Sequence, residues 1–272
     1  MSRKVQFIPG GTVTTPAGFQ AGATFAGIKT YAQDKLDIGL LYATSPCTCA
    51  AVFTTNRIQS PSVVLTRERV QSGAVRAAVV NSGIANVLVG KQGYKDAVEM
   101  GDLAAKSLGL PPEEVAVLST GIIGVELPMA LIRAALPNIT VTDSGGNEFA
   151  RAIITTDTRP KEAAVAYEHG GRTVTIGGVT KGSGMVHPNM ATMLAFLGTP
   201  AASLYIAVLA VIDISQPGFG YLLAGSVLHI VGSLLVTIAF NVPRNNRLAA
   251  VEPESEEASG AWSRYIREWT AW

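Results

Sequence analysis

The stretch KGSGMVHPNMATMLAF, Lys181 to Phe196, decides how the rest of this chain is read. Its centre is a small residue followed by a hydroxyl, Ala191 then Thr192. A threonine hydroxyl is a weak nucleophile until a base takes its proton, and a new N-terminus supplies that base as the residue's own α-amine. For an internal threonine this requires a cut at its backbone nitrogen. The hydroxyl attacks the preceding carbonyl, the acyl group shifts from N to O, and water hydrolyses the ester. Ala191 leaves that carbonyl accessible, and Gly182 and Gly184 allow tight backbone turns nearby. Taken alone, an Ala-Thr pair is ordinarily part of a packed strand or helix.

Working outward, 272 residues are enough to bury a sizeable core in one large domain or two small ones. Lys+Arg 21 against Asp+Glu 20 leaves a formal net charge of +1, so composition offers no basic face for a phosphate backbone and argues against a nucleic-acid partner. Cys47 and Cys49, in SPCTCAAVF, lack the ligand count of a zinc site. They read as buried free thiols on one face of a strand, and no metal is called for. MSRKVQFIPGGTVTTPAGFQAG has no apolar core of a secretory signal, which predicts a cytoplasmic start for the N-terminal part.

From residue 1 to about 198, short apolar runs alternate with helical patterns. AAVFTTN, VRAAVVNSG, VAVLST, EAAVAYE and RTVTIGG read as strands, with HGGR as a hairpin signal. YKDAVEMGDLAAKSLGL has apolar residues at helical spacing and a glycine at its end, and LPMALIRAAL reads as a second helix opened by Pro128. After Thr199 the character changes. Gly220 to Val242, GYLLAGSVLHIVGSLLVTIAFNV, carries no charged residue and is long enough for the roughly 30 Å core of a bilayer, so it reads as a transmembrane helix. Arg244 and Arg247 follow, which puts that end on the cytoplasmic side, and Trp262, Trp269 and Trp272 suit a membrane boundary. The alternative is a buried core helix.

KGSGMVHPNMATMLAF resembles the signature of the ornithine acetyltransferase family, also called glutamate N-acetyltransferase. GFQAGATFAGIK, AAVFTTNRIQSPSV, NSGIAN, VLSTGIIG and AIITTDT resemble further family elements in the same order, up to about Gly198. In that family the precursor cuts itself before the threonine of the ATML element. The resemblance implies cleavage between Ala191 and Thr192, an α chain 1–191, a β chain beginning at Thr192, and Thr192 as nucleophile. It also implies an α+β fold, a layered α/β/β/α sandwich, and a heterotetramer of α and β chains.

The same resemblance assigns the remaining roles. Thr120 and Gly121 match an oxyanion-hole pair, since acyl transfer builds negative charge on a carbonyl oxygen and fixed donors stabilise it; VAVLS is expected to end there in a glycine turn. Thr155 and Lys181 match substrate-binding residues, a lysine being a partner for the carboxylates of N-acetylornithine and glutamate. Without the resemblance, Lys181 reads as a solvated surface lysine. Asp157 reads as a residue that caps or orients the same turn. The implied reaction is ping-pong: Thr192 takes acetyl from N-acetylornithine, ornithine leaves, and glutamate accepts the group. No bound cofactor is needed, and acetyl-CoA serves some members as donor.

The family usually reads NSGNAN where this chain has NSGIAN, so Ile84 replaces a polar residue. It also continues past Thr199 with a long soluble β chain. Here residues 199–272 instead resemble small membrane proteins related to anthrone oxygenase, on LLVTIAFNVPRNNRLAAVEP and WSRYIREWTAW. The expectation is therefore an acetyltransferase-like domain 1–198 followed by a membrane-protein-like segment 199–272, with one or two transmembrane helices and weak or absent turnover by this chain alone. Two other functions remain open. One is a membrane protein of the anthrone-oxygenase-like group with an inert N-terminal domain. The other is an N-terminal-nucleophile amidohydrolase, in which water replaces the accepting amine.

Overall fold

A computed structural model of the chain describes residues 5–29, 35–54, 58–169, 171–182 and 194–199. All of them belong to one unit, Met1–Ile206. The expected scissile pair Ala191 and Thr192, the apolar run 220–242 and the rest of the C-terminal segment lie outside the described residues. Among the described residues no helix is long and apolar enough to cross a membrane.

Two sheets of four strands form the frame. The first has the order β2 (Phe19–Thr24), β3 (Ile38–Ala43), β4 (Ala77–Ile84), β5 (Val115–Ile122); β4 and β5 run parallel and the other pairs antiparallel. The second has the order β1 (Gln6–Ile8), β6 (Lys161–His169), β7 (Arg172–Thr180), β8 (Ala195–Gly198), all antiparallel.

A parallel pair needs a crossover, and α2 (Gly90–Leu108) supplies it between β4 and β5. Its buried stripe of Ala97, Met100, Gly101, Ala104 and Ala105 has helical spacing, and Gly109 ends it in the left-handed conformation at φ 66°. α1 (Pro61–Val70) starts on Ser60, whose Oγ accepts from Ser62 N at 3.2 Å, with Pro61 in the first turn, where its missing N–H costs nothing. α3 (Met129–Ala135) follows Pro128. These three helices pack on one face of the first sheet, around Leu40, Leu65, Val79, Met100, Val117 and Ile132. Its other face meets α4 (Gly146–Ile153) and the inner side of the second sheet in a separate core of Leu41, Val80, Phe149, Ile153 and Val179. The Phe149 and Phe196 rings meet edge to face there, with centroids 5.2 Å apart.

The described layers are therefore helices, sheet, α4 and sheet. A helical layer on the outer side of the second sheet, which a full α/β/β/α sandwich would have, does not occur among the described residues. Phe7 (66% exposed) and Leu197 (76% exposed) lie on strands of that sheet.

Several local expectations are corrected. In AAVFTTN, residues 50–54 are irregular and Val52 is exposed; among the described residues no strand pairs with this segment. Cys47 and Cys49 lie in the same irregular stretch and are partly buried instead of fully so; burial still pushes both thiols above their usual range. VLSTGIIG does not turn at its glycine. Strand β5 continues through Gly121 to Ile122, since Gly83 and Ile84 of β4 pair with both. Ile84, where the family has a polar residue, is buried in the first core, and its carbonyl accepts from Asn81 Nδ2 at 2.9 Å.

Candidate functional site

The ends of β4 and β5 carry the first part of the site. Ser82 stands opposite Thr120 and Gly83 opposite Gly121 in the parallel register. At this point the backbones approach more closely than side chains allow. A Cβ on Gly121, whose φ is 141°, would overlap the Gly83 carbonyl, and a Cβ on Gly83 would sit 2.8 Å from Lys29 Cα. Three backbone segments are thus stacked beside Thr120, and glycine is required at two of them.

The outermost segment, residues 26–29, is held by a carboxylate. Asp37 is fully buried and accepts from Ala26 N at 2.7 Å, Ile28 N at 2.7 Å and Lys29 N at 3.1 Å, while its carbonyl accepts from Ser82 N at 2.8 Å. A buried charge with this many charge-assisted partners is satisfied. Sequence reading passed over Asp37. The available signal was an acidic residue directly before the apolar strand IGLLYA.

Thr155 arrives from the other side. Ser82 Oγ donates to the carbonyl of Ala152 at 2.5 Å, which ties the last turn of α4 to the strand residue facing Thr120. The chain leaves α4 at Ile153 and reaches half-buried Thr155 two residues later.

Lys181, at the end of β7, completes the group. Its Nζ donates to Thr120 Oγ1 at 3.1 Å; Lys181 is 4% exposed and Thr120 1%. The solvated-lysine reading is thereby overturned, because a hydroxyl from 61 positions upstream closes over the ammonium. Burial pushes the Lys181 ammonium below the usual lysine range; Asp157 opposes that change and Lys161 adds to it. Lys29 is also lowered by burial, with Asp37 and Asp157 opposing and Lys35 and Lys181 adding.

Asp157 joins these pieces. Its Oδ1 accepts from Gly182 N at 2.6 Å and from Lys161 Nζ, and the nearby backbone of Thr155 favours its charge. Burial works against its charge, yet the lysine and the backbone donors outweigh that and hold its carboxyl below the usual range. Lys181 N donates to Leu194 O at 3.0 Å, and so does Thr180 Oγ1, also at 3.0 Å. The two ends of the segment 182–194 are therefore joined next to Lys181. Thr120, Gly121, Lys181 and Thr155 lie on elements linked to one another by these bonds; Ala191 and Thr192 fall outside the described residues, three and two positions before Leu194.

No group of three or more His, Cys, Asp or Glu side chains suited to a metal ion occurs among the described residues. What the arrangement offers is a buried hydroxyl, an ammonium and glycine-backed amides.

Comparison with known proteins gives this geometry relatives. The curated "Arginine biosynthesis bifunctional protein ArgJ" of Symbiobacterium thermophilum is 52% identical over 202 residues, covering 73% of this chain and 50% of that protein. That of Dehalococcoides mccartyi is 45% identical over 202 residues, covering 74% and 50%. The chain thus spans about half the length of the curated relatives it matches. Among solved structures, the ArgJ of Bacillus halodurans is 39% identical with a TM-score of 0.66, covering 70% of this chain and all of that one. The ornithine acetyltransferase of Mycobacterium tuberculosis, complexed with ornithine, is 36% identical with a TM-score of 0.63, covering 69% of this chain and all of that one. Toward the C-terminus the anthrone oxygenase family model matches residues 189–272. The ArgJ family model matches residues 20–209, the span that carries both sheets' junction with the Thr120–Lys181 pair, and the chain belongs to the ArgJ family.

Proposed function

We propose that this chain carries the acetyl-transfer chemistry of its family: it cuts itself between Ala191 and Thr192, and Thr192 then accepts acetyl from N-acetylornithine for delivery to glutamate. The α chain is 1–191, the β chain begins at Thr192, and the acetyltransferase-like part runs to about residue 198, with the membrane-protein-like segment after it. The observation that carries the reading is the buried pair Thr120 and Lys181, placed where the chain re-enters at Leu194, two residues past Thr192.

In the first step the Thr192 hydroxyl adds to the Ala191 carbonyl. The Ala191–Thr192 C–N bond breaks as the adduct collapses to an ester, with the nitrogen taking the hydroxyl proton, and water hydrolyses that ester to release the Ala191 carboxylate. The freed α-amine of Thr192 then takes the hydroxyl proton as that oxygen attacks the acetyl carbonyl. Negative charge collects on the carbonyl oxygen, where the Thr120 hydroxyl and the Gly121 N–H serve as donors. Collapse expels the ornithine amine, and the glutamate amine attacks the acetyl-threonine in turn. Lys181 and Thr155 bind the amino-acid part, Lys181 as a cation for its carboxylate.

The solved relatives support the processing step. Each is a chain wholly covered by about 70% of this one, whereas the curated relatives are only about half covered. A solved chain near half the curated length is what a cut before the ATML threonine produces.

The test is acetylation of the cut chain. On incubation with N-acetylornithine, the fragment beginning at Thr192 should gain one acetyl mass, which glutamate should remove as N-acetylglutamate. A fragment that never gains the mass contradicts the transfer. Release of free acetate without N-acetylglutamate assigns the chain to the amidohydrolases instead.

The anthrone oxygenase match over residues 189–272 favours a second reading for the C-terminal part, a membrane-bound segment with its apolar run 220–242 in the bilayer. Retention in the membrane pellet after alkaline washing supports it, and full release rejects it.

A further inference from the structure

A lysine ammonium has donors and no acceptor, so in the contact at 3.1 Å the Thr120 hydroxyl oxygen accepts. The proton of Thr120 is then directed away from Lys181 and is free to donate elsewhere. An ammonium on the oxygen also polarises the O–H and makes it a stronger donor. The direction of this bond matters, and something must fix the lysine that sets it.

Lys181 has no carboxylate within salt-bridge distance among the described ion pairs; its own position comes from the backbone on either side. On one side its N–H is bonded to Leu194 O. On the other, the next residue donates to Asp157, and this contact is tight: a Cβ on Gly182 would lie 2.5 Å from Asp157 Oδ1 and 3.3 Å from Lys161 Nζ. Asp157 has a side chain only 3% exposed and is itself held by Lys161.

We propose that Asp157 is a positioning residue: it clamps the Lys181–Gly182 turn so that Lys181 donates to Thr120 and the Thr120 proton points to the acetyl oxygen. The use of that proton rests on the acetyl-transfer reading above; the clamp itself does not. The clamp explains why position 182 is glycine, and it makes Thr155 and Lys181 neighbours through one carboxylate. The charged groups that face Lys181 are Asp157 and Lys161, with Lys29 beside them on the 26–29 segment.

The experiment uses the full chain with 15N-glycine labelling and with lysine ammonium groups followed by NMR, the Lys181 signal being assigned by its loss in Lys181→Arg. In Asp157→Ala, amide hydrogen exchange at Gly182 should rise by roughly tenfold or more, as expected for loss of a charge-assisted hydrogen bond. The Lys181 titration midpoint should fall, since the carboxylate that opposed the burial effect is gone. Asp157→Asn keeps an acceptor for Gly182 but not the charge. It should leave Gly182 protected near the wild-type level and still lower the Lys181 midpoint, and it decides the question if the alanine variant does not fold. Gly182 exchange within twofold of wild type and an unmoved Lys181 midpoint overturn the proposal. Acetylation of Thr192 is followed in parallel and should slow in both variants. If wild type never acetylates, the functional reading fails while the two NMR measurements still decide the role of Asp157.

Discussion

Adding one methyl group at Gly121 tests the tightest point in the molecule. A Cβ there would overlap the backbone of Gly83, and φ 141° is a conformation that only glycine adopts readily, so Gly121→Ala should destabilise by about 2–5 kcal/mol. A shifted denaturant midpoint checks it. Thr120→Val removes the donor with little change of volume and leaves the Lys181 ammonium without its hydroxyl, so acetylation of Thr192 should slow by about 10²–10³-fold. Lys181 makes a prediction about pH. Its folded pKa lies below the ordinary 10.5, so the charged form is disfavoured in the folded state. The resulting penalty is fully present below the folded pKa and fades as pH rises from there toward 10.5. Relative to Lys181→Met, wild type should therefore gain stability across that interval, measured as a rise of the wild-type denaturant midpoint relative to that of the variant. Sequence reading singled out Thr120, Gly121 and Lys181 through ordered motifs, but not the burial of Lys181. That burial depends on a partner 61 positions away and on the approach of Leu194, and neither distance is written in local pattern.

At the level of elements, α4 does more than its eight residues suggest. Phe149 is fully buried between the first sheet and Phe196 of β8, so Phe149→Ala should cost about 3–5 kcal/mol in chemical denaturation. Because the carbonyl of Ala152 is bonded to Ser82, the same substitution should loosen the approach of Thr155 to the β4–β5 ends. Elements whose packing is periodic were legible: α2, with Ala97, Met100 and Ala104 on one face and Gly109 behind it, and the β6–β7 hairpin. AAVFTTN was misread because β-branched and apolar residues satisfy a strand pattern whether or not a neighbouring strand exists to pair with them. VLSTGIIG was misread for the opposite reason. Glycine ordinarily ends a strand, and here Gly121 continues one because Gly83 approaches it from β4. The 26–29 segment, fixed by a buried Asp37, had no visible period at all.

For the molecule as a whole, ArgJ family membership rests on residues 20–209, and the described residues supply the frame and the Thr120–Lys181 pair of the candidate site. The proposal of Thr192 as nucleophile rests on the ATML element and on the joined ends of the segment that contains it. Self-cleavage is the claim on which the rest depends, since an uncut Thr192 has no free α-amine to act as its base. Intact-mass analysis of the purified chain, beside Thr192→Ala, tests it most directly. The account predicts two wild-type fragments, one ending at Ala191 and one starting at Thr192, and a single uncut chain for the variant; a single uncut wild-type chain contradicts it.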